Sequence, residues 1–402
     1  MTAPLDTGQF TLGELEHRGF VKLFRGKVIS RHDLAASPGS YPVYSSSVHE
    51  DGLFGRYGQH MFDEELITWS IDGGGDFFYR PRHKFSVTNV CGYMRVLQPA
   101  IHPKFLAYQL QALHARLKFD YSLKAHPSVI RGAYSLSIPD LCEQQEIAAA
   151  LTAADALIAN LECLIAKKQE IKQGLMQQLL TGKTRIPGFA DPWVDVRLGN
   201  HVTYVKTIAL SRAQLDECSP LRYLHYGDIH TRVGVTLDAA QEPMPRAAAN
   251  LTHNAGRLQP GDLVFADASE DPAGVGKSLE ITGVPSEGAV PGLHTIAARF
   301  DKAVIADGFK AYLQFIPTFR DALLRLAAGT KVLATTRSYV SSITISLPGA
   351  AEQAAIAEVL TDAESEISAL RARLVKANAV KVGMVQQLLT GRTRLPIAES
   401  TE

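Results

Sequence analysis

Two stretches of this 402-residue chain are copies of each other. Residues 143–187 and 352–396 align without a gap at an offset of 209, and 21 of their 45 positions are identical. Internal repetition constrains architecture more tightly than any local signal, because each copy must do the same packing job. The chain therefore reads as two halves, each a globular segment followed by a long helix. The expected boundaries are a first globule at 1–139, a first repeat helix at 140–187, a second globule at 188–348, a second repeat helix at 349–396 and a tail at 397–402.

Both copies predict helices for a physical reason. Ile147, Leu151, Ala154, Ile158, Leu161 and Ile165 step alternately by four and three. Ile356, Leu360, Ala363, Ile367, Leu370, Leu374 and Ala377 do the same in the second copy. An apolar seam of this period belongs to a helix packed lengthwise on another helix. Asp140 stands three residues before Glu143, a capping-box spacing, whereas Gly349 holds the matching place in the second copy and caps more weakly. Each copy ends in Leu-Thr-Gly, so Gly182 and Gly391 are expected as left-handed stops, with Pro187 and Pro396 beyond them. A helix of about 39 residues is a rod of roughly 58 Å, which suits a spacer.

Composition matters here for what it excludes. No apolar run approaches the ~18–20 residues of a membrane span, and the polar start MTAPLDTGQF does not read as a signal peptide. Cys91, Cys142, Cys163 and Cys218 are scattered without metal spacing, which suits reduced thiols and a cytoplasmic location. Formal charge is zero, from 41 basic and 41 acidic residues, so any contact with nucleic acid should be local or shared with basic partners.

The first globule reads as mixed α and β, with strands expected at 41–47, 66–71 and 85–96 and a helix at 103–119. Its Trp69–Lys84 stretch joins a glycine-rich turn to Arg80, Arg82, His83 and Lys84, a mixture suited to phosphates. The second globule should carry strands at 263–267, 294–300 and 339–347 and a helix at 317–328. Its run Tyr226–Arg232 offers groups for base edges or phosphates, but His225, Asp228 and His230 lack the spacing of a metal site.

Three enzyme signals fail on inspection. The run Asp271–Ser278 ends like a phosphate-binding loop, yet Asp271 sits where the motif needs its first glycine, and a strand-like SLEITG follows. Pro139-Asp140 with Glu170 and Lys172 echoes metal-dependent nucleases, but the helix would carry the second pair about 45 Å away. No glycine-rich cofactor turn or base-flipping loop of a methyltransferase is present. The expected fold class is α+β: two mixed α/β globules held at opposite ends of an antiparallel two-helix coiled coil, pseudo-twofold symmetric. Such an object is a caliper.

With these motifs assembled, the chain resembles the specificity subunit of type I restriction-modification systems. The resemblance rests on the repeated helix start (Pro139, Glu143, Gln144, Ile147 and Ala148; Pro348, Glu352, Gln353, Ile356 and Ala357). It rests equally on the repeated ends at 177–185 and 386–394. YPVYSSSVHEDGLFG, ITWSIDGG and LQPGDLVFADASED are similar to stretches of the family's target-recognition domains. The resemblance implies a non-catalytic subunit in which each globule reads one half of a gapped, asymmetric double-stranded DNA site. It implies that the helices set the spacer and dock two methylation subunits, with restriction subunits completing the complex. S-adenosylmethionine, ATP and Mg would be bound by those partners and not by this chain. The competing reading is a non-catalytic coiled-coil adaptor with two protein-binding heads, which predicts no sequence preference on DNA.

DNA-proximal candidates follow from residue type and position. In the first globule they are Ser45, Ser46, Ser47, Trp69, Asp72, Arg80, Arg82, Lys84 and Arg131. In the second they are Tyr226, Asp228, His230, Thr231, Arg232, Asp267, Lys277, Lys331 and Arg337.

Overall fold

A computed structural model describes residues 7–47, 49–72, 76–117, 124–327 and 333–395. The chain divides into two compact units, Met1–Glu162 with Ala372–Glu402, and Cys163–Arg371. Each long helix thus contributes one part to each unit.

The first unit is built from β1 (Gly8–Phe10), α1 (Leu12–His17), β2 (Val21–Arg25), α2 (Arg31–Ala36), β3 (Tyr41–Tyr44), β4 (Leu53–Tyr57), β5 (Phe62–Ser70), β6 (Phe77–Val87), β7 (Cys91–Val96), α3 (Pro103–Arg116), α4 (Pro127–Ala133), β8 (Leu136–Ile138) and the start of α5 (Leu141–Leu179). Its six-stranded sheet runs β2-β7-β5-β6-β3-β4. Pairing is antiparallel except between β3 and β6. One core holds Ile67, Trp69, Phe77 and Met94 with Phe105 and Leu110 of α3 and Ile147 and Leu151 of α5. A second cluster holds Phe62, Leu66, Phe85 and Val87. The expected strand at 85–96 is two strands, because the chain turns between them and Cys91 N donates to the Thr88 carbonyl at 3.0 Å.

The second unit continues with β9 (Val194–Arg197), β10 (Val202–Val205), β11 (Leu221–Leu224), α6 (Tyr226–Thr231), β12 (Thr236–Asp238), β13 (Arg246–Ala247), β14 (Leu263–Ala266), β15 (Ala268–Ser269), β16 (Ser278–Gly283), β17 (Ala289–Pro291), β18 (Thr295–Phe300), α7 (Pro317–Leu326), β19 (Leu333–Ala334), α8 (Arg337–Ser342), β20 (Thr344–Leu347) and the start of α9 (Ala350–Leu388). The sheets are β10-β18-β14-β16-β12, β13-β11-β17 and two pairs, β15-β19 and β20-β9. The expected strand at 339–347 is corrected at its front half. Thr336 Oγ1 accepts from Tyr339 N at 3.2 Å and starts α8 instead, leaving only β20 extended.

Both long helices are 39 residues. Asp140 Oδ1 accepts from Glu143 N at 2.9 Å, and the left-handed stops are Gly182 (φ 67°) and Gly391 (φ 69°). In the second unit Lys168 pairs with Glu366 at 2.8 Å, and Lys172 pairs with Glu364. In the first, Asp155 pairs with Lys381 at 2.5 Å. As residue numbers rise on one helix the partners fall on the other, so within each unit the two helix segments run antiparallel. The seam residues Ile147, Leu151, Leu161, Ile165, Ile356, Leu360, Ile367 and Leu370 are buried, while Ile158 and Leu374 are half-buried. No unbroken apolar run of membrane-spanning length occurs, yet an 18-residue window of α5 has a mean hydropathy of 1.6, long and apolar enough by composition alone to cross a membrane. Alanines on the outer face raise that average; no unbroken run of large apolar side chains does so.

The repeated Glu-Gln is a clamp. Gln144 is fully buried. Its Oε1 accepts from His102 N at 2.8 Å, and its Nε2 donates to the carbonyls of Ala100 (3.0 Å) and Pro139 (2.8 Å). Gln353 repeats this with Ala306 N at 2.9 Å and the carbonyls of Val304 and Pro348, both at 2.8 Å. One buried amide thereby pairs three backbone groups that lie at least partly out of water. The neighbouring glutamates are both buried and differ in how closely an arginine meets them. Glu352 is buried and takes a two-pronged contact from Arg185, at 2.5 and 2.6 Å. Glu143 lies 3.9 Å from an exposed Arg394.

Replacing Gln144 or Gln353 with Leu should destabilise the unit that contains it by about 1–3 kcal/mol for each buried group left unpaired. The exposed Gln177→Leu should change stability by less than about 0.5 kcal/mol; denaturant titration decides. Arg185→Ala should lower the unfolding midpoint clearly, because Glu352 is left charged and buried, whereas Arg394→Ala should barely move it.

Candidate nucleic-acid interface

Two polar surfaces emerge, one on each globule. In the first, the chain leaves β3 through Ser45–Ser47 and reaches β4 through Glu50–Gly52. Glu50, Asp51 and Gly52 all have positive φ, at 49°, 52° and 84°. Non-glycine residues hold such a conformation only when their surroundings impose it. Ser45 N donates to the Gly52 carbonyl at 2.8 Å, Ser70 Oγ to the Ser46 carbonyl at 2.9 Å, and Thr88 Oγ1 to Ser45 Oγ at 3.1 Å. Arg80 Nη2 donates to the Asp51 carbonyl. Ser47, Glu50 and Asp51 remain exposed.

Several candidates of this globule are placed differently from the expectation. Trp69 is fully buried; its Nε1 donates to the Ala125 carbonyl at 2.7 Å and its ring lies against Gly92, where an added Cβ would sit 2.1 Å from it. It is a core residue with no surface for DNA. Arg80 is 6% exposed, with its guanidinium 3.7 Å over the Tyr44 ring and Nε on Thr68 Oγ1 at 3.0 Å. Burial pushes its pKa below the usual guanidinium range. Arg131 ties α4 to Glu16 of α1 at 2.5 Å, and Asp72 pairs with Lys124 at 3.1 Å. Arg82 and Lys84 are exposed on β6, Arg82 lying 3.6 Å from Asp63. Gly73–Gly75, the expected glycine turn, lie outside the described residues.

In the second globule, Tyr226, His230, Ala268, Ser269, Glu270, Asp271 and His294 line a cleft of about 530 Å³. His294 lies in the turn between β17 and β18 at φ 54°. Its Nδ1 is 3.2 Å from Asp267 Oδ1, and its ring meets Tyr226 edge-on at 5.3 Å. Lys277 Nζ donates to the His230 carbonyl at 2.6 Å, and burial lowers its pKa. The cleft brings Tyr226 and His230 together, and Asp267 reaches it only through its contact with His294. It does not bring Asp228, whose Oδ2 caps α6 by accepting from His225 N at 3.0 Å. Thr231 Oγ1 donates back to the Gly227 carbonyl at 2.9 Å. Arg232 is committed inside the protein, to the Thr236 carbonyl at 2.8 Å and to the Glu242 carboxylate. Arg337 is exposed, 5.6 Å over the Tyr204 ring, and Lys331 lies outside the described residues. Among the described residues no three His, Cys, Asp or Glu side chains converge as a metal would require.

His294, Glu270 and Asp51 were not among the sequence candidates. Nothing periodic marks them, and His294 was expected to open the strand at 294–300. A non-glycine residue in the left-handed region costs roughly 1–2 kcal/mol. His294→Gly should therefore raise the stability of the second unit by up to about 1 kcal/mol in denaturant titration, once glycine's own entropy is offset.

Residues 10–173 match the family model described as the type I restriction modification DNA specificity domain. A putative type I specificity subunit N-terminus from Mycoplasma pneumoniae is 44% identical over 89 residues, which are 22% of this chain and 47% of the relative. A second putative type I specificity subunit of that organism is 35% identical over 141 residues, 34% of this chain and 55% of the relative. The chain spans about half the length of the curated relatives it matches. Among solved structures, the S subunit of a type I restriction-modification system from M. genitalium has a TM-score of 0.64 at 14% identity, over 97% of this chain and 99% of that one. A chain from a study of complex assembly and conformational transition in the type I R-M system has a TM-score of 0.54 at 16% identity, covering 96% and 99%. At such identities the likeness is one of fold, and it extends over both globules and both helices.

Proposed function

We propose that this chain, whose residues 10–173 match the type I restriction modification DNA specificity domain and which shares over 97% of its length the fold of a type I S subunit, is a sequence-specific DNA-recognition subunit of a type I restriction-modification complex. The observation that carries this reading is the doubled construction: a globule, a buried glutamine clamp and a 39-residue helix, built twice. A repeat conserved in its helices and divergent in its globules suits two readers of different sequences joined by one kind of spacer. Each globule reads one half of a gapped, asymmetric site on double-stranded DNA. The turn at Ser45–Gly52 and the Tyr226–His294 cleft supply hydroxyl, carboxylate and imidazole groups for base edges.

The helices dock two methylation subunits, and restriction subunits complete the assembly in the cytoplasm. The chain itself is non-catalytic; S-adenosylmethionine, ATP and Mg are bound by those partners. A net charge of zero supports this division, since affinity for phosphates must then come largely from elsewhere in the complex.

Co-expression with the neighbouring methylation subunit and long-read mapping of modified adenines tests the reading. The expected result is a two-part motif with a fixed gap. A stable complex that modifies no adenine would sink it and favour a protein-binding adaptor.

A further inference from the structure

We propose that Arg80 is a positioning residue for the first globule, holding the turn that presents Ser47, Glu50 and Asp51 to DNA without itself touching a base. The inference deepens the recognition reading above and rests on it.

The geometry is specific. A base-reading arginine needs its N–H fork open to the groove, but this one is 6% exposed and its fork faces inward. Nε is engaged by Thr68 Oγ1 on β5 and Nη2 by the Asp51 carbonyl, while the guanidinium plane lies 3.7 Å from the Tyr44 ring and 4.8 Å from that of Phe78. One side chain thus ties β5, the end of β3 and the far arm of the turn. That arm contains the left-handed Glu50 and Asp51, which would relax if nothing imposed them. Ser70 and Thr88 hold the near arm through Ser46 and Ser45. The fit is tight, since a Cβ at Gly52 would meet the Ser45 carbonyl at 3.0 Å and Arg80 Nη2 at 3.5 Å. Lysine would keep the charge but lose both the stacking plane and the second donor direction.

Arg80→Lys and Thr68→Val, each in the full chain co-expressed with the methylation subunit, test this by two readouts. Hydrogen exchange over residues 41–57 should quicken by roughly tenfold or more in Arg80→Lys, as loss of a charged hydrogen bond implies, and less in Thr68→Val. The methylation motif should lose discrimination in the first half-site alone, with the second half and the yield of complex unchanged. Unaltered exchange overturns the proposal, as does faster exchange with a wild-type first half-site. Where Arg80→Lys fails to fold, Thr68→Val decides by the same criteria. Failure of the recognition reading is separate, because it shows in the wild-type complex as an absence of any two-part motif.

Discussion

The rest of the molecule depends on a primary amide buried at the start of each long helix. Gln144 and Gln353 each reach one N–H and two carbonyls, joining the last turn before the helix to a loop of the globule. Glutamine is the side chain that can do this, since it is at once donor and acceptor on a reach of three carbons. A glutamate would press negative charge against two carbonyls, and a leucine would leave three backbone groups dry. The direction in which each helix leaves its globule is fixed by this contact, with Ile147 and Leu151, or Ile356 and Leu360, packed just beyond it.

Around the repeated clamp the two units go separate ways. The first pairs β1 with β8 beside one six-stranded sheet, whereas the second divides its strands among a five-stranded sheet, a three-stranded sheet and two strand pairs. The Glu–Arg contact beside the clamp is closed in the second unit and loose in the first. The polar surfaces differ in kind as well: a turn held from beneath by a buried arginine, against a cleft edged by two histidines and carboxylates. The glutamine clamp is common to both units, while their sheets, the Glu–Arg contact beside the clamp and their polar surfaces differ. That distribution suits a scaffold used twice for different readings.

Much of the fold was legible. Period-3.5 spacing, a cap at Asp140 and glycine stops at Gly182 and Gly391 are local rules, so the helices followed from them. The site was far less legible, because the side chains that suit DNA are also those that build turns and caps. Arg80 and Arg232 looked like phosphate ligands and are internal ties; Asp228 looked like a base reader and caps a helix; Trp69 looked exposed and lies between β6 and β7. Exposure depends on which strands become neighbours, and that is a long-range property. His294 was invisible for the same reason: its partners, Asp267 and Tyr226, are 27 and 68 positions away.

What the sequence by itself determined is the doubled plan: two long helices, their ends and their apolar seam. These arise from contacts three and four residues apart, whose geometry the helix supplies regardless of context. Tertiary structure alone decided which strands pair, which arginines turn inward and which turn residues face solvent. Those outcomes depend on burying apolar area while leaving no polar group unpaired, a condition satisfied by the whole globule and by no segment of it.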